Sequence, residues 1–279
     1  MKGFKEKLLT GTLAFTMVLT SAAVQFNTTE VKADTAGSDY KLVWSDEFNG
    51  TALNTDNWTY DLGNGGSNVG WGNNEKEYYT NRTDNVYVSD GTLKITALEQ
   101  KFNKYNYTSG RIKTAGKQTF KYGRMEARIK LPSLKGVWPA FWMLGTNGKT
   151  WPACGEIDIM EAFNTRSDIQ STIHYPKWNG ADQYVYTNRN ISNKTEWHTY
   201  GCYRDGSICA FYIDGKLLTS YGTWTNKFVR ITDFAETYST ADLTTGNYAG
   251  QRSVLNDDYY LLFNVACGGN LAQGNPPTN

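Results

Sequence analysis

The sequence predicts an all-β sandwich of two curved antiparallel sheets. Short runs rich in Val, Ile, Tyr and Phe recur along the chain, many alternating with polar residues as a half-buried strand requires. Asp-Gly pairs at Asp90-Gly91 and Asp214-Gly215 sit beside such runs, the pattern of tight hairpin turns. After residue 33 no stretch shows a sustained helical period. Many short strands joined by Gly-rich turns bury their apolar faces by stacking one sheet on another.

Taken in order, the domain begins near Lys41-Leu-Val-Trp44. Val86-Tyr-Val88 and Leu93-Lys-Ile-Thr-Ala97 form a hairpin about Asp90-Gly91, and Phe211-Tyr-Ile213 leads into Asp214-Gly215. Between residues 122 and 130, Met125, Ala127 and Ile129 fall on one face and Arg124, Glu126, Arg128 and Lys130 on the other. Ser171–Tyr175, Trp197–Tyr203 and Tyr259–Ala266 read as further strands. The Gly-rich connection from Leu62 to Asn74 and the polar, Tyr- and Thr-rich stretch 220–256 are long enough to be functional rims.

The N-terminus carries Lys2, Lys5 and Lys7, an apolar run from Leu8 to Val24, and a small-residue pattern at Val31-Lys32-Ala33. This is the layout of a secretory signal peptide over residues 1–33, with one domain over 34–279 and a secreted, extracellular protein. Cleavage would remove four lysines and two acids, taking the formal charge from +1 to about −1. Such a balance gives no electrostatic reason to seek nucleic acid or a membrane surface. The 9 Trp, 19 Tyr and 12 Phe exceed what a core of this size needs, so some rings are expected at a surface, where sugar faces are the usual partner. Cys154, Cys202, Cys209 and Cys267 allow three pairings. A two-residue turn at Asp205-Gly206 would set Cys202 opposite Cys209, as a bridge or as two small buried side chains.

The chain's densest chemistry is Gly155-Glu156-Ile157-Asp158-Ile159-Met160-Glu161. On a regular strand Glu156 and Asp158 share a face, and Glu161 lies on the other. Alternatively, a one-residue bulge near Ile159-Met160 returns Glu161 to the side of the first two acids. Other chemistries lack their residues. There is no phosphate loop, no Gly-x-Ser-x-Gly elbow, and no His/Cys cluster for zinc, since His174 and His198 stand apart from the cysteines. An Ile-rich strand is a poor calcium loop. Paired carboxylates about a glycosidic bond remain; a retaining hydrolase sets them about 5–5.5 Å apart. Five residues of flat strand span about 16 Å, so the site needs a bent sheet and a bulge.

These residues resemble glycoside hydrolase family sixteen in its laminarinase-like form. Similar segments include Trp44-Ser-Asp-Glu-Phe48, Trp71-Gly-Asn-Asn-Glu75, Tyr78-Tyr-Thr80, Tyr107-Thr-Ser-Gly-Arg111, residues 122–128, residues 136–142, Thr172-Ile-His-Tyr-Pro176 and Asn264-Val-Ala-Cys-Gly-Gly-Asn270. The resemblance implies a concanavalin-like jelly roll and retaining endo-cleavage of β-1,3-glucan, with mixed β-1,3/1,4-glucan also in range. It implies Glu156 as nucleophile, Glu161 as acid/base, Asp158 as their helper, and Met160 as the extra residue of a bulge. Trp138 and Trp142 resemble the family's aromatic platform, His174 the histidine beside the catalytic strand, and Trp71 and Asn73 the loop lining the non-reducing side of the cleft. Arg124 and Arg128 read as a solvated strand face, and Glu75 and Glu77 as loop-surface acids.

One departure stands out. Family members continue past the segment like Asn264–Asn270 to a final strand, which also supplies an Asp to a structural calcium site with groups near Glu47 and Gly91. That strand is missing here, so an open sheet edge and an incomplete calcium site are expected, with no cofactor required and a monomer acting on polysaccharide. The alternatives are an agarase- or carrageenase-like hydrolase of the same fold and a non-catalytic glucan-binding lectin. Retention of all three acids favours the hydrolase.

Overall fold

The computed structural model describes residues 15–20, 41–177, 179–206, 208–224, 227–231 and 251–272. Among these, the strands form two sheets. The first runs in the order β12 (Asp182–Asn190), β11 (Asp168–Pro176), β10 (Glu156–Glu161), β9 (Val137–Gly145), β17 (Tyr259–Cys267), β7 (Arg111–Lys113) and β2 (Thr59–Tyr60). The second runs β16 (Lys227–Ile231), β15 (Lys216–Trp224), β14 (Ile208–Ile213), β13 (Trp197–Arg204), β8 (Gly123–Lys130), β1 (Phe15–Thr20), β5 (Thr92–Phe102), β6 (Tyr105–Ser109) and β3 (Glu77–Tyr79), with β4 (Val86–Ser89) beside β5. All neighbours are antiparallel except β3 and β6.

The inner faces meet in one core. Phe141 and Phe263 stack with ring centroids 4.6 Å apart. Ile157, Ile159 and Ile173 join them from the first sheet, and Leu93, Ile95, Ile129, Tyr200 and Phe211 from the second. Side chains that alternate in sequence therefore sort into a buried face and a face left for chemistry. On β8, Met125 and Ile129 are buried while Glu126 is exposed, as the alternation requires. Asp90 and Asp214 take φ of 53° and 51°, followed by Gly91 and Gly215, giving the two expected tight turns.

Four expectations change. Asp205 pairs with Ile208, its backbone N–H donating to the Ile208 carbonyl and its carboxylate accepting the Ile208 N–H, so the turn centres one residue later. Cys209 then faces Arg204 and Cys202 faces Phe211; all four cysteines are free and buried. Within the stretch read as a polar rim, β15 extends to Trp224, β16 follows, and α1 (Gln251–Asn256) precedes β17; residues 232–250 lie outside those described. Glu75 and Glu77 are buried rather than on the surface, because Tyr79 Oη donates to Glu75 and the Cys267 N–H donates to Glu77. Finally, β5 and β8 are not left as open edges in the uncleaved chain, because Phe15–Thr20 pairs with both as β1.

Candidate active site

The site is built on β10. Glu156, Ile157 and Asp158 face Leu144, Met143 and Trp142 of β9 in regular register. Met160 then faces Phe141, and Glu161 faces Ala140, so two residues of β10 advance against one of β9. Across β11 the same shift falls between the Asp158–Thr172 and Glu161–Gln170 pairs. This is the bulge, and against β9 its extra residue is Ile159 rather than Met160. Ile159 and Met160 both turn into the core, whose apolar faces hold the irregular backbone in place. The Ser171 hydroxyl donates to the Ile159 carbonyl at 2.8 Å and satisfies a group the bulge displaces. Glu161 thereby joins the side of Glu156 and Asp158, and its carboxyl feels both charges.

Each carboxyl has its own surroundings. Trp138, on β9, donates its indole N–H to Glu161 Oε1 at 2.9 Å. Burial pushes Glu161 well above the usual carboxylate range, the charges of Asp158 and Glu156 push it further, and the Trp138 bond opposes them. Burial and then Asp158 raise Glu156 to about 8, against the pull of His174 and Arg111. Asp158 is raised by burial and drawn down by His174. His174 Nε2 lies 3.4 Å from Asp158 Oδ2 and 3.8 Å from Glu156 Oε1, while Nδ1 lies 3.1 Å from Asp182 Oδ2. Burial works against the imidazolium, yet its bonds to Asp158 and Asp182 and the nearby negative charge outweigh that and push it up to about 11. A doubly protonated His174 is thus the cation that offsets the crowded acids.

A second cation stands on the opposite flank. Arg111 opens β7, where Asp61 holds its Nε at 3.0 Å. Its guanidinium lies 4.2 Å from the Trp71 ring centroid and 4.8 Å from that of Trp142, so the two indoles sandwich it. Trp142 donates to Asn264 Oδ1 at 2.7 Å, Asn264 donates to Tyr79 Oη, and Tyr79 donates to Glu75. This chain of bonds ties the Gly-rich loop to the site. Within that loop Asn64 accepts the Gly70 N–H and donates to the Glu75 and Glu77 carbonyls. Gly70 itself takes φ 69°, and a Cβ there would meet the Glu75 backbone nitrogen at 2.9 Å.

The acids Glu156, Asp158 and Glu161 therefore come together with His174 and Trp142 at hand. Trp71 sits against Arg111, and Asn73 binds the Glu75 carboxylate from the same loop. Trp138 differs from its expected part as a platform: it is buried among Phe163, Ala266 and Ala272, and reaches the acids through its N–H. Arg111, Asp182 and Asn264 escaped notice as site residues. Two of them lay inside the motifs of the family resemblance, whereas Asp182 had no local signal. Glu156, Asp158 and His174 are also close enough to share a cation, with ligand atoms within 4.8 Å of one another. His174 Nδ1 is held by Asp182 at 3.1 Å, which turns Nε2 towards the two acids.

Comparisons with known proteins bear on the family and the fold. The family model described as Glycosyl hydrolases family 16 matches residues 73–257. The chain is 37% identical over 264 residues to "Glucan endo-1,3-beta-glucosidase A1" of Niallia circulans, covering 88% of this chain and 36% of that protein. It is 35% identical over 239 residues to a "Beta-glucanase" of Rhodothermus marinus, covering 82% and 76%. The laminarinase catalytic domain of Thermotoga maritima MSB8 superposes with a TM-score of 0.70 at 32% identity, covering 87% and 92%. The chain spans about a third of the first relative's length and about three quarters of the second's. With a bulged three-acid strand in a two-sheet sandwich, and a family model matched over most of its length, the chain belongs to the family of Glycosyl hydrolases family 16.

Proposed function

We propose that this protein is a secreted, monomeric retaining endo-hydrolase of β-1,3-glucan, with mixed β-1,3/1,4-glucan as a second substrate. The observation that carries the reading is the bulge at Ile159, which sets Glu161 on the same face as Glu156 and Asp158. A retaining mechanism needs two carboxyls on one cleft with different protonation states. Glu161, hydrogen-bonded to Trp138 and raised well above the usual range, suits the proton donor to the glycosidic oxygen. Glu156, where His174 and Arg111 oppose the rise from burial and Asp158, suits the nucleophile that attacks the anomeric carbon. The charge of Glu156 helps to hold the proton on Glu161, which suits a pair that shares one proton.

In the first step Glu156 would bond to the anomeric carbon as the leaving oxygen takes the Glu161 proton. In the second, Glu161 would accept a proton from water as that water releases the sugar from Glu156. Asp158, next to Glu156 and held by His174, would keep the nucleophile oriented.

Names of the relatives support glucan over agar or carrageenan. A lectin would need none of the three acids, and all are retained. The test is reducing-sugar release from laminarin, mixed-linkage glucan, agarose and carrageenan side by side. Release from laminarin is expected to lead, with mixed-linkage glucan second. Inactivity on all four with retained laminarin binding would instead favour the lectin.

A further inference from the structure

We propose that Trp151, Tyr184 and Tyr186 form a shelf that holds the glucan chain on the leaving-group side of the catalytic acids, an inference that rests on the glucan-hydrolase reading above. The three residues are 50%, 54% and 51% exposed. They connect in an unbroken series: Trp151 to His174 at 5.7 Å between centroids, His174 to Tyr184 at 5.5 Å, and Tyr184 to Tyr186 at 6.0 Å.

The register of the sheet places this series on the catalytic face. Glu156 faces His174, which faces Tyr184; Asp158 faces Thr172, which faces Tyr186. Side chains at directly opposed positions share one face of a sheet. Between the two tyrosines Val185 is half-buried and packs on the core, so strand alternation fixes both rings outward. Strands about 4.8 Å apart put β12 roughly 10 Å from β10, beyond the sugar being cleaved.

The occupant follows from continuity and charge. The opposite flank is already built as a polar box, with Arg111 between Trp71 and Trp142 and both tied to Asn264 or Tyr79. That flank carries the loop assigned by resemblance to the non-reducing side, which leaves β11 and β12 for the departing portion of the chain. From residue 182 to residue 188 there is no lysine or arginine, so the shelf suits a neutral glucan rather than a sulfated polysaccharide. Flat, half-exposed rings stack on pyranose C–H faces and give up little side-chain freedom in doing so.

The test compares kcat/KM on laminarin with kcat/KM on 4-nitrophenyl β-laminaribioside, whose leaving group is too short to reach β12. Tyr186→Ala is expected to lower the laminarin-to-aryl ratio about three- to tenfold, and the Tyr184→Ala/Tyr186→Ala pair further. Tyr186→Trp, which keeps a flat ring, is expected to retain the ratio. An unchanged ratio in the double variant, with the parent protein active on both substrates, would overturn the shelf alone. Inactivity of the parent on both would remove the hydrolase reading and the shelf with it. A dimer that is abolished by Tyr186→Ala without a change in ratio would reassign the rings to contact between copies, and overturn the proposal.

Discussion

The indole N–H of Trp138 donates to Glu161 Oε1 at 2.9 Å, and this bond links a buried tryptophan to the acids. Hydrogen bonding to the charged carboxylate favours it, so the bond holds the Glu161 pKa below where burial and the neighbouring acids would otherwise set it. Trp138→Phe keeps the ring and removes the donor. The proton on Glu161 should then be lost at higher pH, moving the alkaline limb of kcat upward, while kcat itself falls about 10- to 100-fold. A pH–rate profile on laminarin checks both, and an alkaline limb moved downward would count against the assignment.

Asp182 should act through His174. Both of its carboxylate oxygens lie within 3.2 Å of Nδ1, and that bond helps raise the ring to about 11. Asp182→Asn is expected to lower the His174 titration. The sequence holds two histidines, so ring-proton NMR resolves it against His198. An unmoved titration would leave Asp182 with a packing role only.

The acids should cost stability as pH rises. Glu156 has a folded pKa near 8 against an ordinary value of 4.5, so the folded state holds its proton more tightly than the unfolded chain. Stability linked to this group is fully present below about pH 4.5 and is lost as pH rises towards 8. Glu156→Gln should therefore raise Tm at pH 8 and leave it nearly unchanged at pH 4. About 1–3 kcal/mol is expected, less than the whole shift because the side chain keeps 17% of its surface in solvent. Thermal unfolding of both proteins across pH 4–9 measures it.

The bulge should depend on Ser171. Ser171→Ala leaves the Ile159 carbonyl buried without its donor, at a cost of about 1–3 kcal/mol. Activity should fall as well, since the same carbonyl fixes where Glu161 emerges. Urea unfolding and laminarin assays on one preparation test the pair of effects; a stable variant with full activity would show that β9 alone sets the bulge.

Much of this architecture was legible because it is written locally. Asp90-Gly91 and Asp214-Gly215 place their own turns, and alternation on β8 declares which side is buried. The acidic strand was legible too, although the family resemblance was needed to favour the bulge over a regular strand. What escaped depends on partners distant in sequence. Glu77 is buried because it accepts a backbone N–H from Cys267, 190 residues away, and nothing near Glu77 announces that partner. Asp182 enters the site only through the pairing of β12 with β11. Cys202 and Cys209 missed facing each other because the Asp205 carboxylate captures the Ile208 N–H and moves the turn by one residue, which Asp-Gly alone did not reveal. The pairing of Phe15–Thr20 with β5 and β8 in the uncleaved chain likewise joins partners distant in sequence.

The central claim is that Glu156 and Glu161 share one face as nucleophile and acid/base. Azide trapping with 4-nitrophenyl β-laminaribioside tests it most directly. In Glu156→Ala the azide should replace the nucleophile and give the α-glycosyl azide; in Glu161→Ala it should intercept the glycosyl-enzyme and give the β-glycosyl azide. The exchanged outcome, or the same anomer from both variants, would contradict the account.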